Sequence, residues 1–328
     1  MNDEKTADRI VNVKTADRTI NEKTSGRPLY IIAGPTACGK TEASLSFARE
    51  VGGEIISCDS MQVYRMMDIG SAKIREDERQ GIPHHLIDVL DPKEEFNVYT
   101  FVKLAKEAAE GIYERGRVPV LTGGTGFYIQ AFLYDIDFTE NTGDKAYRRE
   151  LEKLAEDKGA EAISERLKEV DPESWESIDH HNVKRMIRAL EFFRETGKKI
   201  SVHNAEERQK KSPYDFEYYV LTRDRKELYE RIDRRVDVMM AEGFLEEVKA
   251  LKAYGCTPEM TSMQGLGYKQ LYRYLLGEYS LKEAVERIKI ETRHFAKRQL
   301  TWFRREKDAV WIDVSKEDLV DVFKARHQ

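Results

Sequence analysis

The sequence predicts an α/β fold, a parallel sheet flanked by helices that also carries an all-helical insertion domain. Three observations predict it. Apolar runs at 29–33, 54–58 and 117–122 alternate with helical patterns, the order that buries a parallel sheet between helix layers. Strand signals stop from Phe138 to about Ser212, where charged helical patterns take over. They return at Tyr218–Thr222 and Trp311–Val314, so the second half closes a sheet that the first half begins. The expected division is a tail at 1–27, a core at 28–138 and 213–316, and an insertion at 139–212. A chain of 328 residues with 40% hydrophobic content is long enough for this arrangement.

The tail is polar and nearly charge-balanced, and Lys5-Thr6-Ala7-Asp8-Arg9 recurs as Lys14-Thr15-Ala16-Asp17-Arg18. It holds too little apolar surface to fold, so disorder and no catalytic role are expected. The first strand, Leu29-Tyr30-Ile31-Ile32-Ala33, runs into Gly34-Pro35-Thr36-Ala37-Cys38-Gly39-Lys40-Thr41. This loop matches G-x-x-x-x-G-K-[ST] at every fixed position, and a helical pattern with Leu45, Phe47 and Ala48 follows it. The glycines let successive N–H groups face one oxyanion, and the following helix dipole adds to that field. Lys40 would reach the outer phosphate, and the Thr41 hydroxyl is placed to ligate Mg²⁺. The core is therefore P-loop NTPase-like and binds a di- or triphosphate, whose bearer the loop leaves open.

Glu54-Ile55-Ile56-Ser57-Cys58 is the next strand, ending in Asp59-Ser60-Met61-Gln62-Val63-Tyr64. A carboxylate at the C-terminal end of a strand beside the loop's strand stands where α/β sheets place their chemistry. Asp59 could bind Mg²⁺ through water, accept a proton, or cap a helix. Met67–Lys73 reads as a turn and Gly81–Val89 as a further strand; its His84 and His85 lack a third ligand at metal spacing, which favours a structural role. Phe101–Tyr113 is amphipathic with Leu104, Ala105, Ala108 and Ile112 on one face. Arg117–Thr122 is a buried strand ending in Gly123-Gly124-Thr125-Gly126, whose glycines allow close backbone approach and whose Thr125 would face the same cleft as Asp59.

In the insertion, Arg148–Gly159, Glu161–Val170 and Asn182–Thr196 read as helices, with Asp171-Pro172 as a break. Lys184, Arg185 and Arg188 lie in a stretch with six basic and two acidic side chains, which is either a solvated face or a grip on an RNA backbone. After the return to strand character comes an apolar helical stripe, Leu228, Ile232, Val236, Met239 and Met240, read as core. Gly265-Leu266-Gly267-Tyr268-Lys269-Gln270 combines an aromatic, a cation and an amide, the groups that stack on and hydrogen-bond unstacked bases. Residues 287–305 then hold seven Lys/Arg and one Glu, interleaved with His294, Trp302 and Phe303.

The net charge of −5 excludes a generic polyanion binder, so any contact with nucleic acid must come from local basic patches. Three cysteines without paired spacing support neither a disulfide framework nor a zinc site, and a reducing cytoplasm is expected. No apolar run approaches a membrane span.

Taken together, the loop at 34–41, Asp59–Tyr64, Met67–Lys73, Gly123–Thr125, Arg188-Ala189-Leu190-Glu191, Gly267–Gln270 and Lys297-Arg298-Gln299-Leu300-Thr301-Trp302-Phe303 resemble the tRNA dimethylallyltransferase family, in order, from about residue 28 to 314. Cys38 stands where serine is common in that family, and Gly126 occupies a variable position. The resemblance implies transfer of a dimethylallyl group from dimethylallyl diphosphate to the exocyclic amine of the adenine 3′ of the anticodon, in tRNAs reading U-initial codons. It implies that Gly34 to Thr41 hold the diphosphate with Mg²⁺ through Thr41, that Arg225 enters from the opposite side, and that Asp59 is the general base. Thr36 and Thr125 would line the reaction channel. Arg148 and the Lys184-Arg185-Met186-Ile187-Arg188 segment would grip the anticodon stem-loop. The Asp59-Ser60-Met61-Gln62 and Gln264–Gln270 segments would contact nucleotides near a flipped base. A monomer is expected. The alternative is a P-loop small-molecule or nucleoside kinase, which leaves the basic helices unexplained.

Overall fold

The structure, a computed structural model, describes residues 26–136, 145–207 and 209–328. Most of the segment read as a disordered tail lies outside the described residues; its last residue, Arg27, opens β1 (Arg27–Ala33). Along β1, Leu29, Ile31 and Ala33 enter one hydrophobic core and Tyr30 and Ile32 the other, because the side chains of a strand alternate faces. Both faces are covered by helices, which is why the run is apolar throughout.

Behind the phosphate loop, α1 (Lys40–Val51) leads to β2 (Gly53–Ser57), β3 (His84–His85), α2 (Val98–Glu114), β4 (Val118–Gly123) and α3 (Gly126–Leu133). Past the insertion the chain continues through β5 (Tyr214–Thr222), α9 (Arg225–Glu242), α10 (Phe244–Tyr254), α11 (Tyr268–Leu275), α12 (Leu281–Phe303), β6 (Val310–Asp313) and α13 (Leu319–His327). The described strands form one parallel sheet in the order β3-β2-β4-β1-β5-β6.

The strand expected over Gly81–Val89 shrinks to the two residues of β3. Leu86 and Asp88 adopt positive φ (63° and 58°), which no strand can continue through. His85 lies 2.8 Å from Glu54 on β2, and Arg115 donates to the same buried carboxylate. Burial opposes the charge on Glu54, yet Arg115 and His85 outweigh it and hold its pKa below the usual range. The pair is structural.

The insertion comprises α4 (Lys145–Lys158), α5 (Ala160–Val170), α6 (Pro172–Ser177), α7 (Val183–Thr196) and α8 (Ile200–Glu207). It packs around a hydrophobic cluster of its own that includes Leu151, Ile163, Leu167, Met186 and Ile187. Asp171-Pro172 starts a helix where the sequence suggested only a break. Asp171 accepts from Ser174 N at 3.2 Å, and proline at the first helical position needs no N–H partner. The same carboxylate accepts from Ser201 N at 3.0 Å, which ties α8 to α6.

Register places the site. Ala33 pairs with Gly123 and with Val220, and Ser57 pairs with Thr122. The C-terminal ends of β1, β2, β4 and β5 are thus level, and the segments following them gather at one edge of the sheet.

Candidate active site

The phosphate loop occupies that edge between β1 and α1. A Cβ on Gly34 would lie 2.5 Å from Leu221 O, so only glycine lets the loop pass this close to β5. The half-buried Lys40 ammonium donates to Gly34 O at 3.0 Å and Pro35 O at 2.8 Å, folding back over the loop. Burial lowers its pKa, with Arg235 adding to the effect and Cys38 and Asp59 opposing it. An anion in the loop would relieve this strain on the charge. Thr41 is exposed in the first turn of α1.

Asp59 follows β2 at the same edge. Its Oδ1 accepts from Met61 N at 2.8 Å, so the carboxylate closes a turn and is held in one orientation. Burial raises its pKa, opposed by the Met61 N–H, the Lys40 ammonium, the Gln62 N–H and the Arg235 guanidinium. Tyr128 of α3 lies in the same surroundings: burial pushes its phenol up to about 12, with Asp59 contributing. A carboxylate in dry surroundings is a stronger base than one in water. The contact is of the capping kind, one of the roles the sequence left open, but it is made to a turn, since no helix directly follows β2 among the described residues.

The structure places several arginines around this edge. Arg225 sits at the exposed start of α9, donates to Tyr229 Oη at 3.3 Å and lies over that ring. It lines a cleft of about 430 Å³ with Arg223, Lys297, Arg304 and Trp311. The arginines that reach the loop come from further along the chain or from β5's end. Arg223 Nε donates to Cys38 O at 2.9 Å, and Arg231 Nε donates to Ala37 O at 3.0 Å. Arg235 is half-buried near Lys40 and Asp59, and desolvation lowers its pKa. The physical reason is helical spacing: Arg231 and Arg235 lie one turn apart on a helix whose apolar face packs on the sheet, so their guanidinium groups are carried beneath the loop. Sequence reading missed both. The signal available was a pair of cations at i, i+4 bordering the stripe Leu228, Ile232 and Val236.

The loop after β4 closes the other side. A Cβ on Gly123 would lie 2.8 Å from the Cys58 backbone, one on Gly124 would lie 2.2 Å from Gln299 Nε2, and one on Gly126 would lie 2.1 Å from the Trp302 ring. These glycines therefore let β2 and α12 close onto the site. Thr125 begins α3 without using its hydroxyl as a cap, and Thr36 gives its backbone N–H to Gln299 Oε1 at 2.9 Å.

The residues expected to meet RNA divide into two sets. Tyr268 is fully buried, edge-on to Phe244, and its hydroxyl donates to Glu247 at 2.6 Å. Gln270 is buried too, accepting from Gly267 N at 2.8 Å and donating to Glu291 at 2.7 Å. Both are structural, because Gly267 begins α11 and turns them inward; Lys269 and Gln264 stay exposed. Met186 and Ile187 belong to the insertion's core. Gln62 is spanned between Ser57 Oγ at 3.1 Å and Ser71 O at 3.3 Å. Met61 packs where Gly265 lacks a side chain, which joins the Asp59 turn to the segment before α11. Ser60 is half-buried beside them.

Arg148 contacts Glu152 at 3.1 Å and the buried Glu191 at 3.5 Å, and Arg188 lies 3.8 Å from Glu195. Lys184 and Arg185 are exposed. Arg185 lines a cleft of about 550 Å³ together with His294, Lys297, Arg298, Thr301, Trp302 and Arg305. That cleft lies between the insertion and α12, and its cationic lining matches a polyanion.

Fold and site define an α/β enzyme with a P-loop-like core and a basic cleft on its insertion side. The family described as IPP transferase matches residues 62–306, and that described as isopentenyl transferase matches residues 27–91. The tRNA dimethylallyltransferase of Lachnoclostridium phytofermentans is 55% identical over 292 residues, covering 89% of this chain and 93% of the relative. That of Bacillus cytotoxicus is 50% identical over 285 residues, covering 87% and 90%. Among solved structures, the tRNA isopentenylpyrophosphate transferase of Bacillus halodurans matches with TM-score 0.68 and 42% identity, over 92% of this chain and 94% of that one. A eukaryotic dimethylallyltransferase acting on tRNA matches with TM-score 0.79 and 30% identity, over 91% and 77%. The chain belongs to the tRNA dimethylallyltransferase family, and it is a transferase.

Proposed function

We propose that the chain transfers a dimethylallyl group from dimethylallyl diphosphate to the exocyclic amine of the adenine 3′ of the anticodon, in tRNAs reading U-initial codons. The observation that carries this reading is Asp59, a half-buried carboxylate held by the Met61 N–H and within the electrostatic reach of Lys40 and Arg235 beside the phosphate loop. The adenine amine is a weak nucleophile because its lone pair is delocalised into the ring. As its nitrogen bonds to the allylic carbon, the carbon–oxygen bond to diphosphate breaks and the amine proton passes to Asp59. The N–H groups of the loop, Lys40 and Arg235 stabilise the departing diphosphate, and such preorganised charge is usually the largest contribution to rate.

Thr41 offers one hard oxygen at the start of α1, and one protein oxygen with phosphate oxygens is an ordinary Mg²⁺ set, so these residues fit the ion. When bound, Mg²⁺ would neutralise charge on the leaving diphosphate. The cleft between α7 and α12 is the proposed seat of the anticodon stem-loop, and unstacking the target base costs a few kcal/mol. No helix among the described residues is long and apolar enough to cross a membrane. We take the enzyme to act in the cytoplasm as a monomer.

The test is incubation with labelled dimethylallyl diphosphate and unmodified tRNA. Label is expected in tRNA carrying the adenine and not in tRNA carrying guanine there. Phosphate transfer from ATP to a small acceptor, with no label in tRNA, would replace this reading with the kinase.

A further inference from the structure

We propose that Gln299 is a positioning residue for the transfer, a bolt that fixes the phosphate loop against the loop after β4. The proposal rests on the reaction proposed above. Gln299 projects from α12 into the site and is buried. Its Oε1 accepts from Thr36 N at 2.9 Å, and its Nε2 donates to Gly124 O at 2.9 Å. A primary amide is the side-chain group that can accept from one backbone group and donate to another in this way, and both of its ends are used. Gly124 belongs to the same device, since a Cβ there would lie 2.2 Å from Nε2 and 3.4 Å from Gly34 O.

The position of this contact gives it a consequence. Thr36 lies in the loop proposed to hold the leaving group, and Gly124 and Thr125 line the side from which the acceptor base approaches. The Thr36 N–H that Gln299 takes is one the diphosphate does not receive. The amide therefore shapes the loop and does not bind the ligand. Close by on the same helix, Lys297, Arg298 and Trp302 line the basic cleft, so α12 borders both that cleft and the two loops. Substituting Gln299 leaves two part-buried backbone groups without this partner and frees the two loops to drift apart.

The experiment uses Gln299→Met, similar in length but unable to hydrogen-bond, in the full chain. A displacement of about 1 Å between reacting groups is expected to lower kcat about a hundredfold. Affinity for inorganic diphosphate, measured by calorimetry without RNA, should fall and tRNA affinity should hold, while the melting temperature drops no further than the loss of two hydrogen bonds accounts for. Gln299→Glu keeps the bond from Thr36 N and should fall between the two. Gly124→Ala should reproduce the Gln299→Met defect by displacing the amide. The same change in a Gln299→Ala background should cost nothing more, because the space has been vacated.

Full kcat and diphosphate affinity in Gln299→Met would overturn the proposal. So would a lowered melting temperature with diphosphate affinity intact, or a Gly124→Ala penalty that is the same in both backgrounds. If the unaltered chain transfers no label to tRNA, the reaction assignment fails separately, and the diphosphate arm still decides the role of Gln299.

Discussion

Asp59 combines two properties that pull in opposite directions. Its charge is disfavoured by burial, and its chemistry requires the charge. Because its pKa is raised in the fold, the basic form is lost already at a pH above the ordinary aspartate range. The acid limb of kcat/KM should therefore sit above that range, and should vanish in Asp59→Asn together with roughly 10²–10⁴-fold of the rate. The raised pKa also means that ionisation costs stability as pH increases. Asp59→Asn should then melt at an equal or higher temperature near neutral pH, read by calorimetry, while still binding tRNA. A second residue-scale expectation separates the arginines. Arg235→Ala should weaken binding of inorganic diphosphate about tenfold or more, as expected for loss of a charge-assisted contact, whereas Arg225→Ala should leave it nearly unchanged. The place of Asp59 at the end of a strand beside the phosphate loop was legible, but its role was not, because three roles suited that position and only the family resemblance chose among them. Arg235 was not legible, because within one helix its pattern is that of any cation flanking a buried stripe. Only the docking of α9 beneath the loop distinguishes it.

Elements were easier to read than their faces. The strand–loop–helix unit at 29–48, the helix at 101–113 and the strand at 117–122 follow from local periodicity and turn chemistry, and the structure reproduces them within a few residues. The segment at 265–270 shows where local reading stops. Aromatic, cation and amide together suggested a base-stacking loop, yet Tyr268 and Gln270 face inward at the start of α11. What decides this is distant in sequence: Glu247 on α10 accepts from the N–H groups of Asp68, Ile69 and Gly70 at 2.9, 2.7 and 3.1 Å, and from the Tyr268 hydroxyl. One carboxylate thereby joins α10, α11 and the turn after β2. Tyr268→Phe should lower unfolding free energy by about 1 kcal/mol in urea titrations, the typical worth of one such bond, with tRNA affinity unchanged. A marked loss of RNA binding at unaltered stability would return Tyr268 to the interface.

For the molecule as a whole, an acidic chain presents a basic cleft. The run of helices α4–α8 was visible as the stretch where strand signals cease, but which of its cations stay exposed was not, because acidic neighbours decide it. Glu152, Glu191 and Glu195 engage Arg148 and Arg188, leaving Lys184 and Arg185 exposed. Replacing Arg185, Lys297 and Arg298 by alanine should weaken tRNA binding for all sequences and flatten its salt dependence by about 0.7 per lost phosphate contact, measured from 50 to 200 mM salt. Arg148→Ala should instead destabilise the insertion, since it strips a partner from the buried Glu191, and should leave the salt slope alone. The placement of the insertion between β4 and β5 also sets a timetable for synthesis. β1 is central in the finished sheet, yet Arg27 pairs with Tyr214, about 190 residues later in the chain. At roughly 5–20 residues per second, the ribosome delivers β5 about 10–40 s after β1. For that interval the apolar run Leu29–Ala33 has an open edge, and a nascent chain released early would offer it to other chains. A fragment ending near residue 212 should accordingly aggregate where the full chain does not, so the sheet depends on translation reaching β5 before its exposed edge finds another partner.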